Sequence, residues 1–161
     1  MEIEIKPATY EEKSILRNLM ELAQYDYSEY DGYDVDEHGL YGYKYMDHYW
    51  TDSDRYPFLV RVSGKLAGFA LVRVYDRRSD NSNIYSIGEY CILKKYRRQG
   101  IGQKLAAHIF TMFKGSWTIQ TCDNNISAQS FWKSVTAPYP NSGFQPHNER
   151  EHMVELNFEV T

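Results

Sequence analysis

Cysteine is scarce: Cys91 and Cys122 are the only two in 161 residues, and neither belongs to a C-x-x-C pair. Both stand in strand-like apolar contexts, which argues for buried reduced thiols over a disulfide framework or a thiolate metal site. His38 and His48 lie ten residues apart without a convincing ligand set, so no metal is expected. No apolar run approaches the roughly eighteen residues that a membrane span needs. A basic excess is also missing. The net charge of −4 argues against general nucleic-acid binding, which needs a broad cationic face. The opening M-E-I-E-I-K has no cationic region followed by an apolar one, so it does not read as a secretion signal and a cytoplasmic protein is expected. The length suits a single domain over residues 1–161, with one active centre.

What is present is patterned. Ile3 and Ile5 alternate with polar residues as a short strand. Thr9 with Glu12 forms a capping-box signature ahead of Ile15, Leu16, Leu19, Met20 and Ala23 at helical spacing. The next segment, Tyr25 to Trp50, holds eight tyrosines and seven acids against one base, Lys44. It carries −6 and leaves the rest of the chain at +2. Its glycines and patchy periodicity read as loop plus a short helix near Leu40 to Trp50. Tyr56 to Val62 and Lys65 to Tyr75 are strands joined by Ser63-Gly64, a two-residue hairpin connection. Ile84 to Leu93 is a further strand, Gly100 to Lys114 a helix stopped by Gly115, and Trp117 to Cys122 a strand. A capped helix then carries Ala128, Phe131, Trp132 and Val135, and strands around Phe144 and over Val154 to Val160 close the chain. The order βααβββαβαββ implies an α/β protein with a mixed sheet and helices on both faces.

Lys94 to Leu105, K-K-Y-R-R-Q-G-I-G-Q-K-L, packs five cations and two glycines between a strand and a helix. A helix N-terminus offers unpaired N–H groups and a partial positive charge, and glycine lets a ligand approach the backbone, so a phosphate is the natural guest. The spacing fits neither a Walker loop nor a dinucleotide fingerprint. Arg97-Arg98-Gln99-Gly100-Ile101-Gly102 resembles R/Q-x-x-G-x-G/A, the acetyl-CoA motif of the GNAT acetyltransferase superfamily. The resemblance extends to the order of elements and to a second motif, N-x-x-A-x-x-F-aromatic, written here as Asn125 to Trp132. It implies a GNAT-like sheet of about seven strands, with acetyl-CoA as acyl donor and no metal. The implied donor contacts are the backbone N–H groups of Arg98 through Gln103 on the pyrophosphate, with Arg97 opening the motif. Asn125, Ala128 and Trp132 share a helix face that the resemblance sets along the CoA arm, while Phe131 is expected in the core.

Acetyl transfer needs a base, an oxyanion site and a leaving group. Glu89 is the candidate base. It shares a strand face with Tyr85, Ile87, Cys91 and Leu93, an apolar row that would raise its pKa toward neutrality, and it stands eleven residues before Gly100, as catalytic glutamates of many GNAT proteins do. A salt-bridged or edge glutamate would look the same. Gly88 marks a bulge in that strand, and the resemblance implies that the backbone of Cys91, Ile92 and Leu93 meets the thioester and pantetheine. Trp132 stands where many relatives carry an acidic tyrosine, and an indole cannot supply a proton near neutral pH. Water, Tyr90 or Tyr139 remain as sources. Gly143-Phe144 follows Trp132 later than usual, so Ser134 to Ser142 reads as an insertion.

In the family the Tyr25 to Trp50 region forms a wall of the acceptor site, and its acids and aromatic rings suit a cationic small molecule or peptide amine. Solvated acids and packed tyrosines would give the same composition. Monomer and homodimer are both open. The alternative to an enzyme is a non-catalytic acyl-CoA-binding sensor or interaction module.

Overall fold

The computed structural model describes residues 1–161. Its seven strands lie in one mixed sheet in the order β1-β2-β3-β4-β5-β7-β6, and its elements follow the predicted sequence βααβββαβαββ. Contacts gather the chain into two units, Met1–Val72 with Gly88–Leu105, and Arg73–Ile87 with Ala106–Thr161. No helix is long and apolar enough to cross a membrane.

In the first unit, β1 (Ile3–Pro7) pairs antiparallel with β2 (Arg55–Val62). The Glu12 carboxylate accepts the Thr9 amide at 3.0 Å, as the capping signature predicts. Helix α1 then runs over Lys13–Asp31. It is longer than expected, taking in the first residues of the tyrosine-rich segment. The reason is visible in the spacing: Leu16, Met20 and Ala23 are buried, and Tyr27 continues the same stripe one turn later. Gly32, at φ +76°, ends the helix in the left-handed conformation, its amide donating to Ser28 O at 2.9 Å. The predicted helix near Leu40 to Trp50 shrinks to one turn, α2 (His48–Thr51), because Gly39 and Gly42 both take positive φ and break the preceding chain. Glu21 on α1 holds that loop by accepting the Tyr41 and Gly42 amides at 2.8 and 2.9 Å. Leu16, Met20, Ala23, Met46, Tyr49, Leu59, Phe69, Leu71 and Cys91 form the core here. Trp50 packs against it and donates its indole N–H to Ala8 O at 3.2 Å. β2 turns into β3 (Lys65–Arg77) through Ser63 and Gly64, both at positive φ, the geometry that matches strand twist in a two-residue hairpin.

The second unit is aromatic. α3 (Ile101–Met112) brings Phe110 onto Trp117 of β5 (Gly115–Cys122) and Phe158 of β7 (Met153–Val160), with ring centroids 5.2 and 5.3 Å apart. β5 and β7 are antiparallel along their full length. β4 (Asn83–Ile92) pairs in parallel with β5 over Ile84–Ser86 and Ser116–Thr118. α4 (Ile126–Thr136) leads through a tight turn, Tyr139 N to Thr136 O at 2.9 Å, into β6 (Asn141–Pro146). The apparent insertion Ser134 to Ser142 is therefore the last turn of α4, that turn and the start of β6.

Candidate active site

The approach to α3 has the geometry of an anion cradle. The Arg97 amide donates to Lys94 O at 3.3 Å and the Lys104 amide to Gly100 O at 3.1 Å, while the six amides between them, Arg98 through Gln103, meet no acceptor from the chain itself. Arg98 and Gly100 take φ of +62° and +80°. Alternating backbone hand of this kind swings successive N–H groups into one concavity, to which the helix dipole adds positive potential. A Cβ at Gly100 would touch nothing within 4 Å, so glycine serves the backbone conformation there, not the space. The five cations divide. Arg97 and Lys94 turn to Asp26 on α1, at 2.6 and 3.5 Å, and Lys95 lies over the Tyr96 ring at 5.3 Å. Arg98 and Lys104 stay out of every ion pair.

Glu89 is half-buried on β4. Burial first, then the charges of Cys91, Glu89 and Asp26, push the Tyr27 phenol well above its ordinary range against the pull of Arg97. Glu89 is thus electrostatically close to α1 and to Cys91. The apolar row expected from Tyr85 to Leu93 is interrupted beside it. A Cβ on Gly88 would stand 2.5 Å from Tyr49 Oη and 3.7 Å from Tyr43 Oη, so Gly88 faces the same core as Cys91, three residues on. Strands alternate faces, so the alternation slips once between the two, as a bulge makes it do. Of the backbone groups expected to meet the donor, Leu93 is taken: its amide donates to Ala67 O and its carbonyl accepts from Tyr96 N, both at 2.8 Å. The Ile92 carbonyl accepts from Arg97 Nε at 2.7 Å.

In the second unit, Asn125 caps α4 by accepting the Ala128 amide at 3.1 Å, and it is buried together with Trp132. Ala128 is half-buried on the same face. Phe131, expected in the core, is only half-buried and meets Trp132 edge-on at 4.8 Å. A groove of about 510 Å³ in this unit is bordered by Arg78, Ser116, Asn141, Asn157 and Glu159 but by none of the motif residues, so volume alone does not mark the centre. No group of three or more His, Cys, Asp or Glu side chains is placed to hold a metal ion.

Residues 16–135 match the model of the Acetyltransferase (GNAT) family. The chain belongs to that family. This acetyltransferase has the same fold as several solved structures of low sequence identity. An acetyltransferase from Thermus thermophilus superposes with a TM-score of 0.70 at 12% identity, covering 98% of this chain and 96% of that one. PaiA N-acetyltransferase from Thermoplasma acidophilum, in complex with coenzyme A, gives 0.69 at 13%, with 99% of each chain covered. The ribosomal-protein-S18-alanine N-acetyltransferase from Escherichia coli gives 0.66 at 13%, over 99% and 95%. No curated protein sequence matches.

Sequence reasoning missed how much of the acidic segment this acetyltransferase spends on itself. Asp26 pairs with Arg97, Asp47 with Lys13 and Arg17, and Asp36 accepts the His38 and Leu40 amides. Arg55 lies over both Tyr45 and Tyr49, and Lys13 over Trp50. Only the charge imbalance between the two regions hinted at these pairings. Cys91 is also set by its surroundings: burial pushes its thiol from 9.0 to about 11, against the nearby Arg97. The unfolded chain sheds this proton first as pH rises, so the stability that the buried thiol contributes is fully present below pH 9 and is lost between pH 9 and 11. The unfolding free energy from urea titrations across that window should fall by an amount on the order of 2 kcal/mol, and the fall should shrink in Cys91→Ala.

Proposed function

We propose that this protein moves an acetyl group from acetyl-CoA to a primary amine by direct attack, with Glu89 as general base. The observation that carries the reading is the run of six unpaired amides, Arg98 to Gln103, with Arg98 and Lys104 beside them. In this reading they take the CoA pyrophosphate, and Asn125, Ala128 and Trp132 border the CoA arm. Cys91 and Ile92 supply the backbone contacts to the thioester region, with Leu93 contributing through the sheet. The amine nitrogen attacks the thioester carbonyl, the C–N bond forms, the C–S bond breaks, and the amine proton goes to Glu89. The thiolate leaves and takes a proton from water, and Glu89 returns its proton to the solvent, which neutralises the hydroxide and restores the base. Tyr90 is engaged with Gly102 O and the Tyr139 ring packs on Phe110 and Phe158, which favours water as that source. A thiol held near pKa 11 is a poor nucleophile at neutral pH, which supports direct attack over an acyl-cysteine.

The proposed acceptor is a small cationic molecule or a peptide amine. The Tyr43 and Tyr49 hydroxyls support this by bringing the tyrosine-rich segment onto Gly88, the residue before Glu89. Calorimetry should show CoA binding with a Kd in the micromolar range, about −8 kcal/mol, while an adenosine control gives no heat. Silence from both overturns the reading.

A further inference from the structure

Two neighbouring residues of α1, Asp26 and Tyr27, reach the elements on which the proposed donor site depends. Tyr27 Oη donates to the Tyr90 carbonyl on β4. Asp26 Oδ2 accepts from Arg97 Nη2 at 2.6 Å, and its Oδ1 lies 3.5 Å from Lys94 Nζ. Arg97 also donates from Nε to Ile92 O at 2.7 Å. One guanidinium therefore joins α1, the end of β4 and the turn before α3. The next residue is Arg98, where the backbone turns left-handed and the run of unpaired amides begins. On the other side of the turn, Tyr90 Oη donates to Gly102 O in the first turn of α3.

Arg97 opens the R-x-x-G-x-G motif, so a direct grip on phosphate would be the simplest role for its charge. The geometry argues otherwise. Two of its nitrogens are committed, one of them to a carboxylate only 20% exposed. Burial acts to lower the Arg97 pKa, but its hydrogen bond and charge attraction to Asp26 outweigh that and hold it above the usual range. Charge-assisted bonds in such partly desolvated sites are stronger and more directional than surface ion pairs. To turn Nε or Nη2 to a phosphate, Arg97 would have to abandon Ile92 O or Asp26, which leaves Nη1 as its one nitrogen not already bonded to either.

We propose that Asp26 and Arg97 are a positioning pair: Arg97 does not ligate the pyrophosphate but, anchored on α1, fixes the angle at which the Arg98 to Gln103 amides meet it. The inference rests on the acetyl-CoA reading above. It assigns Asp26, a member of the segment read as acceptor wall, to the donor side of the reaction.

The test measures CoA affinity by calorimetry for the wild type, Asp26→Asn, Arg97→Gln, Arg97→Lys and the Asp26→Asn/Arg97→Gln double variant. Asp26→Asn and Arg97→Gln should each weaken CoA binding roughly tenfold, and the double variant should be no weaker than Arg97→Gln alone, since all three break one link. Arg97→Lys, which keeps the charge but loses the planar fork, should fall between. In steady-state assays KM for acetyl-CoA should rise more than KM for the amine. If Arg97 instead grips phosphate, Asp26→Asn frees it and leaves CoA affinity equal or tighter, which overturns the proposal. Unchanged CoA affinity in every variant, with lowered melting temperatures, makes the pair merely structural and overturns it as well. Absence of binding by the wild type overturns the acetyl-CoA reading and this inference with it, whereas wild-type binding with indifferent variants overturns the inference alone.

Discussion

Glu89→Gln is expected to lower kcat by about 10²–10⁴-fold, the usual contribution of a positioned general base, while leaving CoA affinity as it is. Glutamine keeps the shape of the side chain and its hydrogen-bonding reach but accepts no proton at any working pH. The loss should therefore appear in turnover against a panel of amines and be absent from calorimetry with CoA. It should also remove the acidic limb of the pH–rate profile, since that limb reports protonation of the base. Unchanged turnover would reduce Glu89 to the structural glutamate its sequence context equally allows. A wild type that binds CoA yet turns over no amine would favour the sensor reading.

Gly68→Ala should cost about 3 kcal/mol of stability, the upper end for forcing extra volume into a packed site. For a chain of this length that corresponds to a melting temperature lower by roughly 6–12 °C. The Cβ would stand 2.2 Å from the Cys91 carbonyl oxygen and 3.1 Å from the Ile92 Cα. Both are backbone atoms of β4, so no rotamer change relieves the clash and the strand itself must move. The strand that moves is the one carrying the backbone groups proposed to meet the thioester, so KM for acetyl-CoA should rise in whatever fraction folds. Thermal melts followed by circular dichroism check the first effect. A melt within about 1 °C of wild type, far below what 1 kcal/mol produces at this size, would mean that β3 and β4 yield there without cost.

Most of the fold was legible because its signals are local. The Thr9–Glu12 cap, the Ser63-Gly64 hairpin, the alternation of Val154, Leu156, Phe158 and Val160, and the glycine turn before α3 each need only neighbouring residues to be read. The long-range pairings were not. Nothing near Asp26 in the sequence says that its partner is Arg97, 71 positions away, and nothing near Gly88 shows that two tyrosine hydroxyls lie over it. The overextended loop reading of Tyr25 to Trp50 has the same origin. Tyrosine and aspartate are weak helix formers, so propensity pointed away from a helix that packing of the Leu16, Met20, Ala23 and Tyr27 stripe secures. Leu93 is the converse case, where family likeness suggested a free backbone donor and the Ala67 carbonyl had already claimed it.

The three tryptophans are apportioned in a way that makes the chain its own optical probe. Trp50 belongs to the first unit, where its indole is tied to Ala8, and Trp117 and Trp132 are buried in the second. Emission from a variant keeping Trp50 alone follows one unit, and emission from a variant keeping only the other two follows its counterpart. Whether the halves of this acetyltransferase melt as a single cooperative body can thus be watched by light, without attaching a dye.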